Sequence, residues 1–243
     1  MTAFVLVHGA FRGGWSWAPV AGRLRAAGHA VTTPDLTGMG TGAGVARPDP
    51  PPDLARWADD VVVAAGAVAG SRADSAGVVL VGHSQGGVPV AAAAPELARR
   101  GLLAGLALLD AAVPGPGERA VDLTPGMTAG TPLPPPDTWL DPTPLGDDAG
   151  LDPATRRWAD ERLCATPLRP SLDAIRSPLP EVPTRWAFCT GTPAGYPSAT
   201  TRARLAAAGV PFTLLDSGHD APLSAPDAVT DWLTGGASST RGD

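Results

Sequence analysis

The chain has 243 residues and a net charge of −6, with a sequence pI of about 5.1. That length fits one domain with an insertion, and the acidic balance excludes the basic footprint of a nucleic-acid-binding protein. No apolar run is long enough to span a bilayer and no basic leader precedes the first strand, so we expect a cytoplasmic protein without a membrane partner. The two cysteines, Cys164 and Cys189, lack metal-type spacing, so we expect free thiols, no metal and no cofactor.

Short apolar runs alternate along the chain with segments of helical periodicity, and this alternation predicts an α/β fold with a mostly parallel, doubly wound sheet. The predicted strands cover residues 4–7, 28–35, 78–81, 102–109, 185–189 and 212–215. The predicted helices cover residues 54–69, 198–208 and 227–233, with another carrying Trp17, Val20 and Leu24 and a further one following Ser84. Asp53 is placed to cap the helix from residue 54, and Pro95 should kink or shorten the helix after Ser84.

The composition changes between residues 113 and 183, where prolines cluster and apolar periodicity weakens. Because this stretch still carries several large apolar side chains, we interpret it as a folded cap, with a helix near residues 153–164, rather than a disordered loop. The predicted organisation is therefore a core of residues 1–112 and 184–236, a cap of residues 113–183, and a disordered tail of residues 237–243.

The stretch Gly82-His83-Ser84-Gln85-Gly86 follows a buried-type strand and opens a helix. A Gly-X-Ser-X-Gly turn in that context is typical of a nucleophile elbow, in which the serine projects from a sharp strand-to-helix turn. The glycine-rich loop after the first strand offers the Ala10 N–H as an oxyanion donor beside the Gln85 N–H. A plain tight turn is the alternative interpretation of each glycine-rich motif.

Four stretches together resemble one known family: residues 7–15, 28–36, 82–87 and 218–222. They are similar to the α/β-hydrolase fold superfamily, in the branch that contains plant methylesterases, hydroxynitrile lyases and many bacterial esterase-like proteins, and the chain resembles a bacterial member. The resemblance implies Ser84 as nucleophile, His219 as general base and an oxyanion hole from Ala10 and Gln85. His219 also follows from the residues, because it lies in a polar loop after the last strand while the other three histidines lie within motifs or at an element boundary.

One position departs from that family. Where the relatives carry the aspartate that orients the histidine, this chain has Thr192. A triad acid must end a parallel strand beside the serine strand, and Asp110 directly follows the strand predicted there. We therefore assign the acid to Asp110, with a local cap at the turn, another carboxylate or a Ser–His dyad as alternatives.

These features predict a serine hydrolase of a small, fairly apolar carboxylic ester or lactone. The expected substrate contacts are the aromatic residues Phe11, Trp15, Trp139 and Trp158. A non-hydrolytic enzyme on the same fold, such as a cyclase or eliminating lyase of a bacterial biosynthetic pathway, is the main alternative, and a binding module without catalysis is another. The expected partner is a small-molecule substrate, and a homodimer is left open.

Overall fold

A parallel sheet forms the centre of the protein, whose computed structural model describes residues 1–70, 77–128, 130–235 and 240–241. Within these residues the sheet has seven strands. In spatial order they are Ala30–Thr32 (β2), Ala3–Val7 (β1), Val78–His83 (β3), Leu103–Leu109 (β4), Thr184–Cys189 (β7), Thr213–Leu215 (β8) and Thr240–Arg241 (β9). All neighbouring strands pair in parallel except β8 and β9. The predicted α/β class with a mostly parallel sheet is confirmed.

Helices cover both faces of this sheet. They are Ala18–Ala26 (α1), Leu54–Gly70 (α2), Gly87–Arg99 (α3), Pro197–Ala207 (α6), Ala221–Ser224 (α7) and Pro226–Thr234 (α8). Because side chains alternate along a strand, Val5 and Val7 of β1 pack with α2 and α3, whereas Phe4 and Leu6 pack with α1 and α8. The long apolar runs noted in the sequence are therefore strands buried on both faces.

Most element boundaries agree with the sequence prediction to within a few residues, with two differences. The second strand covers only Ala30–Thr32; it begins late because Gly28 adopts a left-handed turn with φ of 84°, and it ends three residues before the predicted end. Helix α3 continues through Pro95 to Arg99 instead of ending early. The backbone hydrogen bond that proline removes is offset by the eight buried residues that α3 packs into the core.

The segment between β4 and β7 contains short elements. They are the 3₁₀ turns Ala120–Leu123 and Asp147–Ala149, the strands Trp139–Leu140 (β5) and Thr166–Pro167 (β6), and the helices Pro153–Asp160 (α4) and Arg169–Leu172 (α5). Strands β5 and β6 pair in antiparallel fashion. Helix α4 ends at Asp160, short of the predicted residue 164, and its N-terminus is capped by the Asp152 side chain.

This segment packs onto the core through two small apolar clusters. In one, Leu123 and Ile175 lie with Leu54 and Val88 of the core. In the other, Ala149, Leu151 and Ala159 lie with Leu223 of α7. The segment is thus attached to the core at two places, and it carries buried surface of its own.

The predicted tail, residues 237–243, is described only in part. Residues 237–239 and 242–243 lie outside the described residues, whereas Thr240 and Arg241 pair with Thr213 and Leu214 as β9. A sheet edge offers unpaired backbone groups to any extended segment nearby, which accounts for this short strand. Among the described helices, none has the length and apolar character that crossing a membrane requires.

Candidate active site

The turn between β3 and α3 carries Ser84 in a conformation that non-glycine residues rarely adopt, with φ of 54°. The turn is so tight that a Cβ on Gly82 would lie 2.9 Å from the Gly86 oxygen, and one on Gly86 would lie 2.5 Å from the His8 oxygen. Only glycine fits at these two positions. Strained backbone of this kind is concentrated at functional sites, and here it presents the serine at the carboxyl edge of the sheet.

A chain of hydrogen bonds links Ser84 to two side chains from other strand ends. The Ser84 hydroxyl donates to His219 Nε2 at 2.9 Å, and His219 Nδ1 donates to Asp110 Oδ2 at 2.7 Å. His219 follows β8 and Asp110 follows β4, so the three residues meet above the carboxyl edge. With its Nδ1 proton held by a carboxylate, the imidazole presents Nε2 as an acceptor to the serine.

Asp110 is held from several directions. Its backbone N–H donates to the Ala187 oxygen at 2.7 Å, and the Thr192 hydroxyl donates to its carboxylate. Burial raises the pKa of Asp110, but the hydrogen bonds from His219 and Thr192 and the charge of His219 outweigh it and lower the pKa below the usual value. Asp110 is therefore an ionised acceptor at neutral pH.

Two backbone segments lie next to Ser84. A Cβ on Gly9 would lie 2.9 Å from the Ser84 Cβ, so the loop that contains Ala10 runs directly against the serine. Gln85 follows Ser84 in the 3₁₀ turn Ser84–Gly86, which leads into α3. N–H groups at a helix start attract negative charge. Ala10 and Gln85 both lie in the wall of one cavity beside Ser84.

Two cavities border Ser84 and His219. The larger has a volume of about 390 Å³ and includes Arg12, Leu145 and Asp148 in its wall. The smaller has a volume of about 230 Å³ and includes Ala120 and Val121. Residues 143–149 of the segment between β4 and β7 contribute to the larger cavity, and residues 120–124 of the same segment contribute to the smaller.

The structure places only one of the four predicted substrate contacts at the cavities beside Ser84. Phe11 lines the larger cavity, but Trp15, Trp139 and Trp158 do not line either cavity at Ser84. Trp15 donates its indole N–H to the Gly40 oxygen at 3.1 Å and packs edge-on against Trp158. Trp139 lies in β5, where its ring blocks the space beside Gly38. These rings contact loops around the site, whereas other residues of the segment between β4 and β7 line the two cavities.

Several residues at the site were missed by sequence reasoning. Arg12 forms a buried ion pair with Asp220, and the Tyr196 hydroxyl donates to Asp148 at 2.6 Å while its ring lies 4.5 Å from that of His219. Burial and the Asp148 carboxylate raise the pKa of Tyr196 well above its usual range. Arg12 and Asp220 lie within the recognised stretches 7–15 and 218–222, but nothing in the sequence indicated that the two side chains pair.

His83, directly before the serine, is a neutral structural donor. Burial and the nearby His219 lower the pKa of His83 to about 3. Its Nε2–H therefore donates to the backbone oxygen of His219 at 2.8 Å. The Asp148 backbone oxygen accepts the His219 backbone N–H at 2.8 Å, so both backbone groups of His219 are hydrogen-bonded. Among the described residues no group of three or more His, Cys, Asp or Glu side chains could hold a metal ion.

A family model described as "Alpha/beta hydrolase family" matches residues 4–232. The chain belongs to this family. Among curated proteins, this α/β-hydrolase is similar to the carbendazim hydrolyzing esterase of Nocardioides sp. (strain SG-4G), with 38% identity over 51% of this chain and 48% of that protein. It is also similar to esterase PIR7B of Oryza sativa subsp. japonica, with 42% identity over 37% of this chain and 32% of that protein.

The matched segments therefore span about half or less of these curated relatives. Among solved structures, the extracellular alpha/beta-hydrolase from a Paenibacillus species superposes with a TM-score of 0.75 at 17% sequence identity. That superposition covers 97% of this chain and 98% of the other. A likeness at this identity concerns the fold alone, and it agrees with the α/β-hydrolase assignment.

Proposed function

We propose that this α/β-hydrolase cleaves small, fairly apolar carboxylic esters or lactones, with Ser84 as the nucleophile and His219 as the general base. The observation that carries the proposal is the hydrogen-bond chain from Ser84 through His219 to Asp110, with heavy-atom distances of 2.9 Å and 2.7 Å. The two esterase relatives support the same reaction class.

In the first half-reaction, His219 Nε2 takes the Ser84 proton as Oγ bonds to the ester carbonyl carbon. The carbonyl oxygen becomes an oxyanion, which the Ala10 and Gln85 N–H groups stabilise. The bond to the alcohol oxygen then breaks, that oxygen takes the proton from His219, and an acyl-serine remains. With a lactone, the alcohol stays attached to the acyl group.

In the second half-reaction, His219 removes a proton from water as the water oxygen attacks the acyl carbon. Collapse of the second oxyanion breaks the bond to Ser84 Oγ, which recovers its proton from His219. Throughout, the Asp110 carboxylate accepts the Nδ1–H and stabilises the imidazolium that forms in each step.

We further propose that residues 113–183 act as a cap over the serine. Residues 143–146, Asp148 and Ala149 line the larger cavity, and the Asp148 backbone oxygen accepts the backbone N–H of His219. Volumes of about 390 and 230 Å³ suit a small substrate divided between two sides of the serine.

Turnover of a panel of short p-nitrophenyl esters and small lactones tests the proposal, together with labelling by a fluorophosphonate. We expect turnover and covalent labelling of the unaltered protein, and loss of both in Ser84→Ala. Ser84 is half-buried at the turn and its hydroxyl packs in no apolar cluster, so the melting temperature should stay nearly unchanged. Ser177→Ala, at an exposed position away from both cavities at Ser84, is the matched control. A chain that is neither labelled nor active contradicts the proposal.

The non-hydrolytic alternative rested on Thr192 in place of an aspartate. Because Asp110 supplies a carboxylate to His219, that feature no longer favours a cyclase or lyase over an esterase. An intact, labelled Ser84 with no hydrolysis of any ester or lactone in the panel would support the alternative.

A further inference from the structure

Arg12 and Asp220 form a buried, two-pronged ion pair in the wall of the larger cavity. Arg12 Nε and Nη2 donate to the two Asp220 carboxylate oxygens, each at 2.6 Å. The exposed fractions of the two side chains are 9% and 4%. A third donor, Arg12 Nη1, reaches the backbone oxygen of Ala10 at 2.8 Å. Neither side chain contacts Ser84, His219 Nε2 or Asp110 in these hydrogen bonds.

The pair connects the two loops on which the proposed chemistry depends. Arg12 lies two residues after Ala10, in the loop that follows β1, and Asp220 directly follows His219, in the loop after β8. In the sheet, β1 and β8 are separated by β3, β4 and β7, so the strands that precede the two loops are not paired with each other directly. The ion pair is a direct link between them.

The loop that holds Arg12 needs such a link. Phe11, between Ala10 and Arg12, has a left-handed backbone with φ of 64°, which costs free energy for a residue with a ring. Its N–H donates to Thr166 Oγ1 at 2.6 Å and its oxygen accepts the Cys164 N–H at 3.0 Å. Contacts from the segment between β4 and β7 thus hold one side of the loop, and the Arg12 pair holds the other.

Stability alone is a poor explanation for the pair. Removing two charges from water costs about as much as their attraction returns, and an apolar pair of similar volume often stabilises a fold equally well. Burial raises the pKa of Asp220, but the Arg12 charge and hydrogen bonds lower it below the usual value, so Asp220 is ionised at neutral pH. The pair instead fixes the distance and orientation between the two loops, which apolar side chains cannot do.

We propose that Arg12 and Asp220 are positioning residues, an ionic brace that holds the Ala10 N–H and the His219 imidazole in register around Ser84. The inference rests on the proposed serine hydrolase function. In that reaction both groups act on one substrate carbonyl: the Ala10 N–H donates to its oxygen, while His219 takes the proton of the Ser84 Oγ that attacks its carbon. Displacement of a catalytic group by 1 Å can lower the rate by about a hundredfold.

The test compares two double variants that leave the net charge unchanged. Arg12→Met with Asp220→Leu removes the brace and leaves no unpaired buried charge. Arg23→Met with Asp227→Leu removes an exposed pair that joins α1 to α8 far from the cavities at Ser84. We expect the brace variant to melt near the wild-type temperature, with kcat lowered by at least about tenfold and KM changed by less than about threefold. The control pair should leave both constants unchanged.

Covalent labelling separates this inference from the proposed function. Phosphonylation of Ser84 uses the same base and oxyanion donors but no particular substrate, so its rate should also fall by at least about tenfold in the brace variant. A folded brace variant with wild-type labelling and kcat overturns the brace and leaves the hydrolase proposal intact. A wild-type chain that neither labels nor turns over esters overturns both.

If the double variant does not fold, Asp220→Asn is the smaller change, because it keeps the side-chain shape and one oxygen that accepts from Arg12, while Arg12 loses its charged partner. We expect an intermediate loss of labelling rate, restored towards wild type in Asp220→Glu. Equal rates in all three proteins contradict the brace.

Discussion

Thr192 donates its hydroxyl proton to Oδ2 of Asp110, the same carboxylate oxygen that accepts the Nδ1–H of His219. The resemblance to known hydrolases places the triad acid at residue 192, after β7. Here a carboxylate after β4 reaches the same histidine, and the threonine donates a hydrogen bond to that carboxylate. The hydroxyl lowers the pKa of Asp110 together with His219, so the two positions contribute jointly to one ionised acceptor.

The first prediction concerns the acid itself. Asp110→Asn should lower kcat by at least about a hundredfold, since loss of the acid in a serine triad removes both tautomer control and charge stabilisation. Steady-state ester kinetics, with the melting temperature as a folding check, measure the effect. Asp216→Asn is the control, because Asp216 is exposed and accepts a hydrogen bond from Thr190. Near-normal activity in the Asp110 variant would assign the role to another carboxylate or to a Ser–His dyad.

The second prediction concerns the threonine. Thr192→Val keeps the side-chain shape but removes a hydrogen bond to a charged group, and such a bond contributes about 1.5–3 kcal/mol. Only part of that free energy acts on the transition state, so kcat of Thr192→Val should fall by about tenfold. Thr192→Ser keeps the hydroxyl and should retain most of the wild-type kcat. Steady-state ester kinetics on the two variants measure kcat for each. Equal activity in the valine and serine variants would mean that the hydroxyl does not hold Asp110.

Local signals were sufficient to predict most of the core from the sequence. The apolar run before Gly82 predicts a buried strand, and the periodicity after Asp53 predicts α2, whose Arg56 N–H does donate to the Asp53 carboxylate at 2.8 Å. Asp110 could be singled out because parallel strands end at one edge of the sheet.

The cavity walls could not be predicted in this way. The proline-rich segment lacks periodicity, and its path depends on contacts between residues far apart in the chain. A Cβ on Gly218 would lie 2.5 Å from the Asp148 oxygen, which shows how closely residues 147–150 pack on the histidine loop. Arg12 and Asp220 are 208 residues apart, so no local pattern links them. Choosing tryptophans as substrate contacts followed residue type alone, and the structure uses these rings elsewhere.

The third prediction tests how a substrate divides between the two cavities. Val121 is half-buried and lines the smaller cavity of about 230 Å³, so Val121→Phe should place a ring in that space. Two ester series, one extended on the acyl side and one on the alcohol side, are compared by kcat/KM. In one series kcat/KM for the longer esters should fall by at least about tenfold, while kcat/KM for the other series stays unchanged.

The control for this variant is Val63→Phe, at a position on α2 with an exposed fraction of 71%. It should leave both ester series unaffected. If the Val121 variant treats all esters of both series as wild type does, the smaller cavity does not bind substrate.

The last prediction concerns pH and His83. Its pKa is about 3 in the folded protein, below the ordinary value of 6.5, so between these values the unfolded chain binds a proton that the folded chain does not. Folding stability should therefore fall as the pH drops from about 6.5 towards 3, with a slope of up to about 1.4 kcal/mol per pH unit from this group.

His83→Gln keeps an N–H donor for the His219 oxygen but cannot titrate. Its free energy of unfolding, measured in urea from about pH 7 to about pH 4, should depend less steeply on pH than that of the wild type. Above about pH 7 the histidine is neutral in both states, so any remaining difference there reports only on packing. Parallel slopes for the two proteins across the acidic range would show that the folded protein protonates His83 as readily as the unfolded chain does, contrary to its role as a neutral donor.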